Sequence, residues 1–264
     1  MYEEFYGLRE KPFNKTPDPR FLYQSAKHAE ALARLQLAVE DQDIVLLTGD
    51  IGSGKTTLSR ALIDSLDGSH HPMLIINPRL SPSQLLRTVA LRLGMDDLTR
   101  YRHGILEGIN AKLYELFEAE KRPVIIIDEA QLIPGKATFE ELRLLTNFQL
   151  DDRNLLALVL IGQTELRERI DRRPYRALRQ RIGMQYHLGS LDVDETREYV
   201  KHRLLVAGRE TPLFDEQALT ALFEHSGGVP RLINIIAGNA LVEGFGKGVE
   251  TIGPEIIESV VKDR

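Results

Sequence analysis

The residues with the plainest chemistry are Gly49, Asp50, Ile51, Gly52, Ser53, Gly54, Lys55 and Thr56, which satisfy the spacing G-x-x-x-x-G-K-[ST]. Glycines at those intervals let the backbone curl until successive N–H groups point inward, a shape suited to phosphate oxygens. A helix beginning near Lys55 would add the positive end of its dipole. The Lys55 ammonium is placed to meet β- and γ-phosphates, and the Thr56 hydroxyl is a ligand type for Mg²⁺. The apolar run "DIVLLT" (43–48) precedes the loop and a helical pattern follows it, which is the context the spacing needs.

"VIIIDEAQ" sets Asp128 and Glu129 at the end of another apolar run. Open α/β sheets bind ligands at the carboxyl ends of their strands. Asp128 would hold Mg²⁺ there through water, and Glu129 would polarise an attacking water as general base. The second acid favours hydrolysis over binding alone. Gln131 is either a polar reporter near that pair or simply a surface residue. Gln163 ends "LVLIGQ", and its amide either reaches the terminal phosphate or the lytic water, or caps the next helix.

From Arg167 to Arg181 seven arginines stand against two acids, Glu168 and Asp171. Three readings stay open: a plain charged surface, a contact to nucleic-acid phosphates, or an arginine presented to a nucleotide bound by a neighbouring subunit. Farther on, "GGVPR" puts Pro230 at a first helical turn and Arg231 beside it. Arg231 would project toward the core and sense the terminal phosphate, so that the tail moves with hydrolysis.

These residues need elements to hold them. Short β-branched runs at 43–48, 73–77, 123–129, 155–162 and 184–188 alternate with amphipathic patterns at about 55–66, 83–94, 103–121, 139–150 and 164–182. That alternation predicts βαβ units on a parallel sheet, and the near-continuous apolarity of the middle runs predicts burial on both faces. After Leu188 come four helical patterns with no strand between them, the first with Asp194 as its N-cap and Gly208 past its end. The expected division is therefore an α/β core over 1–189 and a helical lid over 190–264. The lid segment carries 13 acidic against 8 basic residues, which accounts for the whole formal charge of −5. Bulk attraction to nucleic acid or anionic membrane is not expected from that balance. The absence of cysteine excludes disulfides, thiolate metal sites and thiol nucleophiles. The N-terminus has no signal-peptide apolar region, and no apolar run approaches the roughly 20 residues of a membrane helix. A cytoplasmic chain is the expectation.

In that order, "GDIGSGKTT" (Gly49 to Thr57), "VIIIDEAQ", "LIGQ", "LRQRI" and "GGVPR" resemble the Walker A, Walker B, sensor 1, arginine-finger and sensor 2 segments of the AAA+ ATPase family. The resemblance implies a five-stranded parallel P-loop core, a helical lid, and ATP with Mg²⁺ bound between subunits of a homo-oligomer. It carries Arg181 as the finger, with Arg179 as the alternative. A narrower resemblance starts at the first residue. "MYEEFYGLREKPFNKTPDPRFLYQSAKHAEALARL", "LIGQTEL" and "YHLGSLDVDET" are similar to the general secretion pathway protein A (ExeA-type) group. It implies that Phe13, Pro17 and Tyr23 either shape the adenine pocket or simply pack the N-terminal segment on the core. Larger members of that group continue into a membrane helix and a periplasmic cell-wall-binding part, and neither is expected within these 264 residues. The implied role is assembly of a type II secretion or type IV pilus machine with an envelope protein as partner, at the inner membrane face. The competing role is a DNA-associated ATPase similar to transposon target selectors.

Overall fold

A computed structural model describes residues 1–14, 18–151 and 153–263. The helices are α1 (Tyr2–Phe5), α2 (Ala26–Glu40), α3 (Lys55–Ser65), α4 (Pro82–Arg92), α5 (Arg102–Glu118), α6 (Lys136–Leu145), α7 (Thr164–Ile170), α8 (Arg176–Arg179), α9 (Val193–Val206), α10 (Glu216–Ser226), α11 (Pro230–Gly246) and α12 (Pro254–Lys262). The strands are β1 (Ile44–Gly49), β2 (His70–Ile75), β3 (Arg122–Ile127), β4 (Ala157–Gly162) and β5 (Ile182–Leu188). Two compact units form. One gathers Met1–Ala29, Asp50–Thr57 and Gly189–Arg264, and the other Glu30–Gly49 and Leu58–Leu188.

The second unit is a five-stranded parallel sheet in the order β2-β3-β4-β1-β5. The period-2 alternation of a strand divides its apolar residues between two faces. Ile44, Leu46, Ile125, Ile127, Leu158 and Leu160 face one layer, which α4, α5 and α6 cover with Leu86, Ile109 and Phe139 among others. Val45, Leu47, Val124, Ile126, Val159 and Ile161 face the other, covered by Leu35 and Val39 of α2 and by Leu58 and Leu62 of α3. Burial on both faces explains why β1, β3 and β4 read as unbroken apolar runs. Registers Thr48↔Gly162 and Ile127↔Leu160 bring the carboxyl ends of β1, β4 and β3 side by side.

Some expected boundaries shift. The second strand starts at His70 rather than residue 73, and contains Pro72. β2 is an edge strand, where a residue without an N–H costs little. The helix expected over 164–182 is broken into α7, a 3₁₀ turn at Arg173–Tyr175, and α8. Pro174, with no N–H and a ring that collides with the preceding turn, cannot continue a helix. The N-cap of α9 is Asp192 rather than Asp194. Its Oδ1 accepts from Glu195 N at 2.8 Å while Glu195 Oε2 accepts from Asp192 N at 2.9 Å, a reciprocal capping box. Helix α2 (Ala26–Glu40) lies in a stretch where the periodicity predicts no element.

In the first unit α9 to α12 pack around Leu204, Leu222, Ile233, Ala237, Leu241, Ile252 and Ile257. The N-terminal segment, which the sequence reading grouped with the α/β core, buries Tyr6, Leu8, Phe13 and Phe21 in this same helical cluster. Phe13 meets Phe214 edge-on at 5.9 Å, and Tyr23 meets Tyr199 edge-on at 6.1 Å. Arg203, 7% exposed, lies over the Phe21 ring at 4.7 Å and donates to the Pro12 carbonyl and the Tyr199 hydroxyl. Pro17 lies outside the described residues.

Candidate functional site

The loop leaves β1 at Gly49 and enters α3 at Lys55. Gly52 and Gly54 have φ of +84° and +103°, values that side chains disfavour. Space forbids a side chain as well. A Cβ on Gly52 would lie 2.4 Å from Arg231 Cβ, and one on Gly54 would lie 2.9 Å from His28 Nε2. Ser53 N donates to the Asp50 carbonyl at 3.2 Å, and Lys55 Nζ donates to the same carbonyl at 2.7 Å. Lys55 and Ser53 are buried, whereas Asp50 and Ile51 are exposed and Thr56 and Thr57 half-buried. Among the described residues the buried Ser53 Oγ has no hydrogen-bond partner. Arg231, second residue of α11, donates its backbone N–H to the Gly52 carbonyl at 3.2 Å, with its side chain exposed. The curled backbone, the glycine-only approach and the unmatched hydroxyl all fit an anionic ligand.

In the α/β unit Asp128 is buried directly after β3, and its Oδ1 accepts from Glu129 N at 2.9 Å. Glu129 is half-buried in a left-handed backbone conformation, φ 53° and ψ 37°. Strain of that kind concentrates at functional sites. Its Oε2 accepts from two amides: Gln131 Nε2, and Gln163 Nε2 at 3.2 Å. Gln163 N donates in turn to Gln131 Oε1 at 3.1 Å. Gln163, at the tip of β4, is therefore joined to Glu129 through Gln131. The sequence leaves Gln131 between a polar reporter and a surface residue; its place two residues beyond Glu129 and just past a strand end is the signal for the first. Each within its own unit, Thr56 offers a hydroxyl and Asp128 a carboxylate oxygen, donor types of the hard kind that Mg²⁺ prefers. No cluster of three or more His, Cys, Asp or Glu suited to a metal occurs among the described residues. Mg²⁺ ordinarily takes only one or two protein ligands beside phosphates and water.

The arginine run divides by environment. Arg169 donates to the carbonyls of Gln131, Ile133 and Pro134 and stacks on Phe139 at 5.3 Å, so it secures the segment behind Glu129. Arg181 donates to the Arg143 carbonyl at 3.3 Å, the Thr146 carbonyl at 3.1 Å and Asn147 Oδ1. It thus caps the carboxyl end of α6, and burial pulls its pKa below the usual arginine value. Arg179 is about half exposed and pairs with Asp171. Arg173 and Arg176 line an open groove of about 570 Å³ with Lys136, Pro174, Ala177 and Gln180. No helix among the described residues is long and apolar enough to cross a membrane.

Comparison with known proteins agrees with this geometry. The AAA domain family matches residues 38–170. General secretion pathway protein A of Aeromonas hydrophila is 42% identical over 255 residues, covering 96% of this chain and 46% of that protein. The chain thus spans about half the length of that relative. Among solved structures, the Aeropyrum pernix ORC2 protein superposes with TM-score 0.69 at 18% identity, over 96% of this chain and 71% of that one. The Thermotoga maritima RuvB branch migration motor does so with TM-score 0.58 at 22% identity, over 96% and 73%. These two likenesses speak for the fold. Motif order, five-stranded parallel sheet, C-terminal helices and matched family together give one conclusion: the chain belongs to the AAA ATPase family, in the group of general secretion pathway protein A.

Proposed function

We propose that this chain hydrolyses ATP with Mg²⁺, and that its nucleotide state drives self-association of an assembly factor for a type II secretion or type IV pilus machine. The observation that carries the hydrolytic reading is the Glu129 carboxylate, held by Gln131 and Gln163 beside buried Asp128. Two amide donors on Oε2 fix the carboxylate plane, so Oε1 is the oxygen that accepts a proton from water. General-base help of this kind is worth about 10²–10⁴-fold in rate. The Gly54 backbone N–H is offered to phosphate oxygens, and Lys55 supplies a charge to the terminal phosphates. Mg²⁺, held by Thr56 and by Asp128 through water, would neutralise phosphate charge when bound. Arg231 acts as the sensor, because its backbone already meets the Gly52 carbonyl. Arg179 is favoured as the arginine offered to a neighbouring subunit. Its side chain is solvent-facing, while the guanidinium of Arg181 is taken up at the end of α6.

The secretion role rests on the relative from Aeromonas hydrophila. The experiment is Glu129→Gln. The variant should bind ATP like the parent, hydrolyse it at least about 100-fold more slowly, and accumulate as an ATP-bound oligomer in sedimentation. Parental turnover would remove Glu129 from the role of base. A DNA-associated reading draws on the cationic groove of Lys136, Arg173 and Arg176. ATP-dependent DNA binding that weakens steeply along a salt series would support it.

A further inference from the structure

The first turn of α2 carries a buried polar relay that ends on the phosphate loop. Ser25 and His28 are 1% and 4% exposed. Ser25 Oγ accepts from His28 N at 3.3 Å and meets His28 Nδ1 at 2.8 Å. On the far side of the ring, His28 Nε2 lies 3.1 Å from the Ser53 carbonyl. A carbonyl only accepts, so the proton sits on Nε2, and Nδ1 then accepts from the Ser25 hydroxyl. The network has one consistent polarity, from hydroxyl to imidazole to loop carbonyl. Burial lowers the His28 pKa, in keeping with a neutral ring.

The bond falls on one particular peptide. In a planar trans peptide the carbonyl and the following N–H point in opposite directions. Anchoring the Ser53 carbonyl on His28 therefore turns the Gly54 N–H away from α2. With Gly54 at φ +103°, this peptide adopts a conformation that a free loop would populate only in part. The ring also sits where a Gly54 Cβ would be, so glycine at 54 and histidine at 28 occupy one shared space. The neighbouring Lys27 reaches elsewhere: its Nζ donates to the Ser190 carbonyl at 2.8 Å and to Glu195 Oε2 at 3.1 Å. One helical turn thus holds the loop with one side chain and the start of the lid helices with the previous one.

We propose that His28, oriented by Ser25, is a positioning residue that presets the Ser53–Gly54 peptide for phosphate. This deepens the nucleotide-binding reading of the same loop and depends on it. It does not touch the ligand. Presetting reduces the ordering that binding must otherwise supply.

The test is ADP affinity by calorimetry on the full chain, with Lys55→Ala, His28→Leu, His28→Gln and His28→Asn. Leucine keeps apolar bulk without a donor. Glutamine can place an amide N–H near the position of Nε2, whereas asparagine reaches only as far as Nδ1. His28→Leu should bind ADP about tenfold more weakly, the size of one lost hydrogen bond. His28→Gln should stay within about threefold of the parent, and kcat should change less than KM. Parental affinity in a folded His28→Leu, with Lys55→Ala unable to bind, would overturn the role of His28 alone. Equal losses in His28→Leu and His28→Gln would overturn it too, because packing rather than the donor would then matter. Where His28→Leu does not fold, glutamine and asparagine decide. Tight binding by glutamine only supports the relay, and equal affinities overturn it. Parental affinity in Lys55→Ala would instead remove the phosphate-loop reading and this proposal with it.

Discussion

Gly52 shows how a single residue can be required twice. Its φ of +84° strains any side chain, and a Cβ would overlap Arg231. Left-handed backbone costs a non-glycine residue roughly 1–2 kcal/mol, before the collision is counted. Gly52→Ala should therefore weaken ADP binding by more than tenfold, and calorimetry reads this directly. Gln131 is a second such residue. It donates to Glu129 and accepts from Gln163 N. Gln131→Ala should lower kcat by about tenfold with the KM for ATP within a factor of two, as steady-state kinetics would report. An unchanged kcat would mean that Gln163 alone holds the carboxylate.

The elements carry predictions about stability. Asp192→Ala removes the capping box of α9, a loss of about 1 kcal/mol. In a chain of this size that lowers Tm by about 2–4 °C, within reach of calorimetric melting. Arg181 and Arg179 should separate at this scale. Arg181→Ala leaves the last carbonyls of α6 without their cation, and should lower Tm by a few degrees. Arg179→Ala removes only an exposed pair with Asp171, worth about 0–1 kcal/mol. It should melt like the parent yet lose ATP hydrolysis. If hydrolysis survives in Arg179→Ala and fails in Arg181→Ala at equal Tm, the finger assignment reverts to Arg181.

The chain as a whole joins distant segments, and two measurements address that. The His28 ring faces the Ser53 carbonyl, with the charges of Lys27 and Glu195 nearby, and burial depresses its pKa. The folded protein takes up a proton on the ring less readily than the unfolded chain, which protonates it near pH 6.5. Stability is therefore level above about pH 6.5 and declines as pH falls below it. Melting curves between pH 7.5 and 5 should show this loss, and His28→Gln should remove part of it. For the oligomer, Arg179→Ala mixed with Lys55→Ala should regain hydrolysis that neither shows alone. Intact association without recovery would argue against a shared site.

Local pattern was enough for much of this molecule. Parallel strands buried on both faces must be short apolar runs, so β1, β3 and β4 were legible. The phosphate loop and Asp128–Glu129 were legible because each lies within a few consecutive residues whose types the chemistry restricts. The exposed Ile51 had no explanation from sequence and gains none beyond its position at the loop surface. Other features depended on partners far away in the chain. The sequence left Phe13 and Tyr23 between shaping an adenine pocket and packing on the core; the structure sets Phe13 against Phe214 and Tyr23 against Tyr199. The sequence left the finger between Arg181 and Arg179, and gave no sign that Arg181 donates to carbonyls near the end of α6. His28 looked like any helical residue until Ser53 came within 3.1 Å. By itself the sequence determined the family, the strands and the residues of the glycine-rich motif between β1 and α3. Only the tertiary structure decided which polar side chains hold those residues in place, because a hydrogen bond between segments leaves no periodicity in either one.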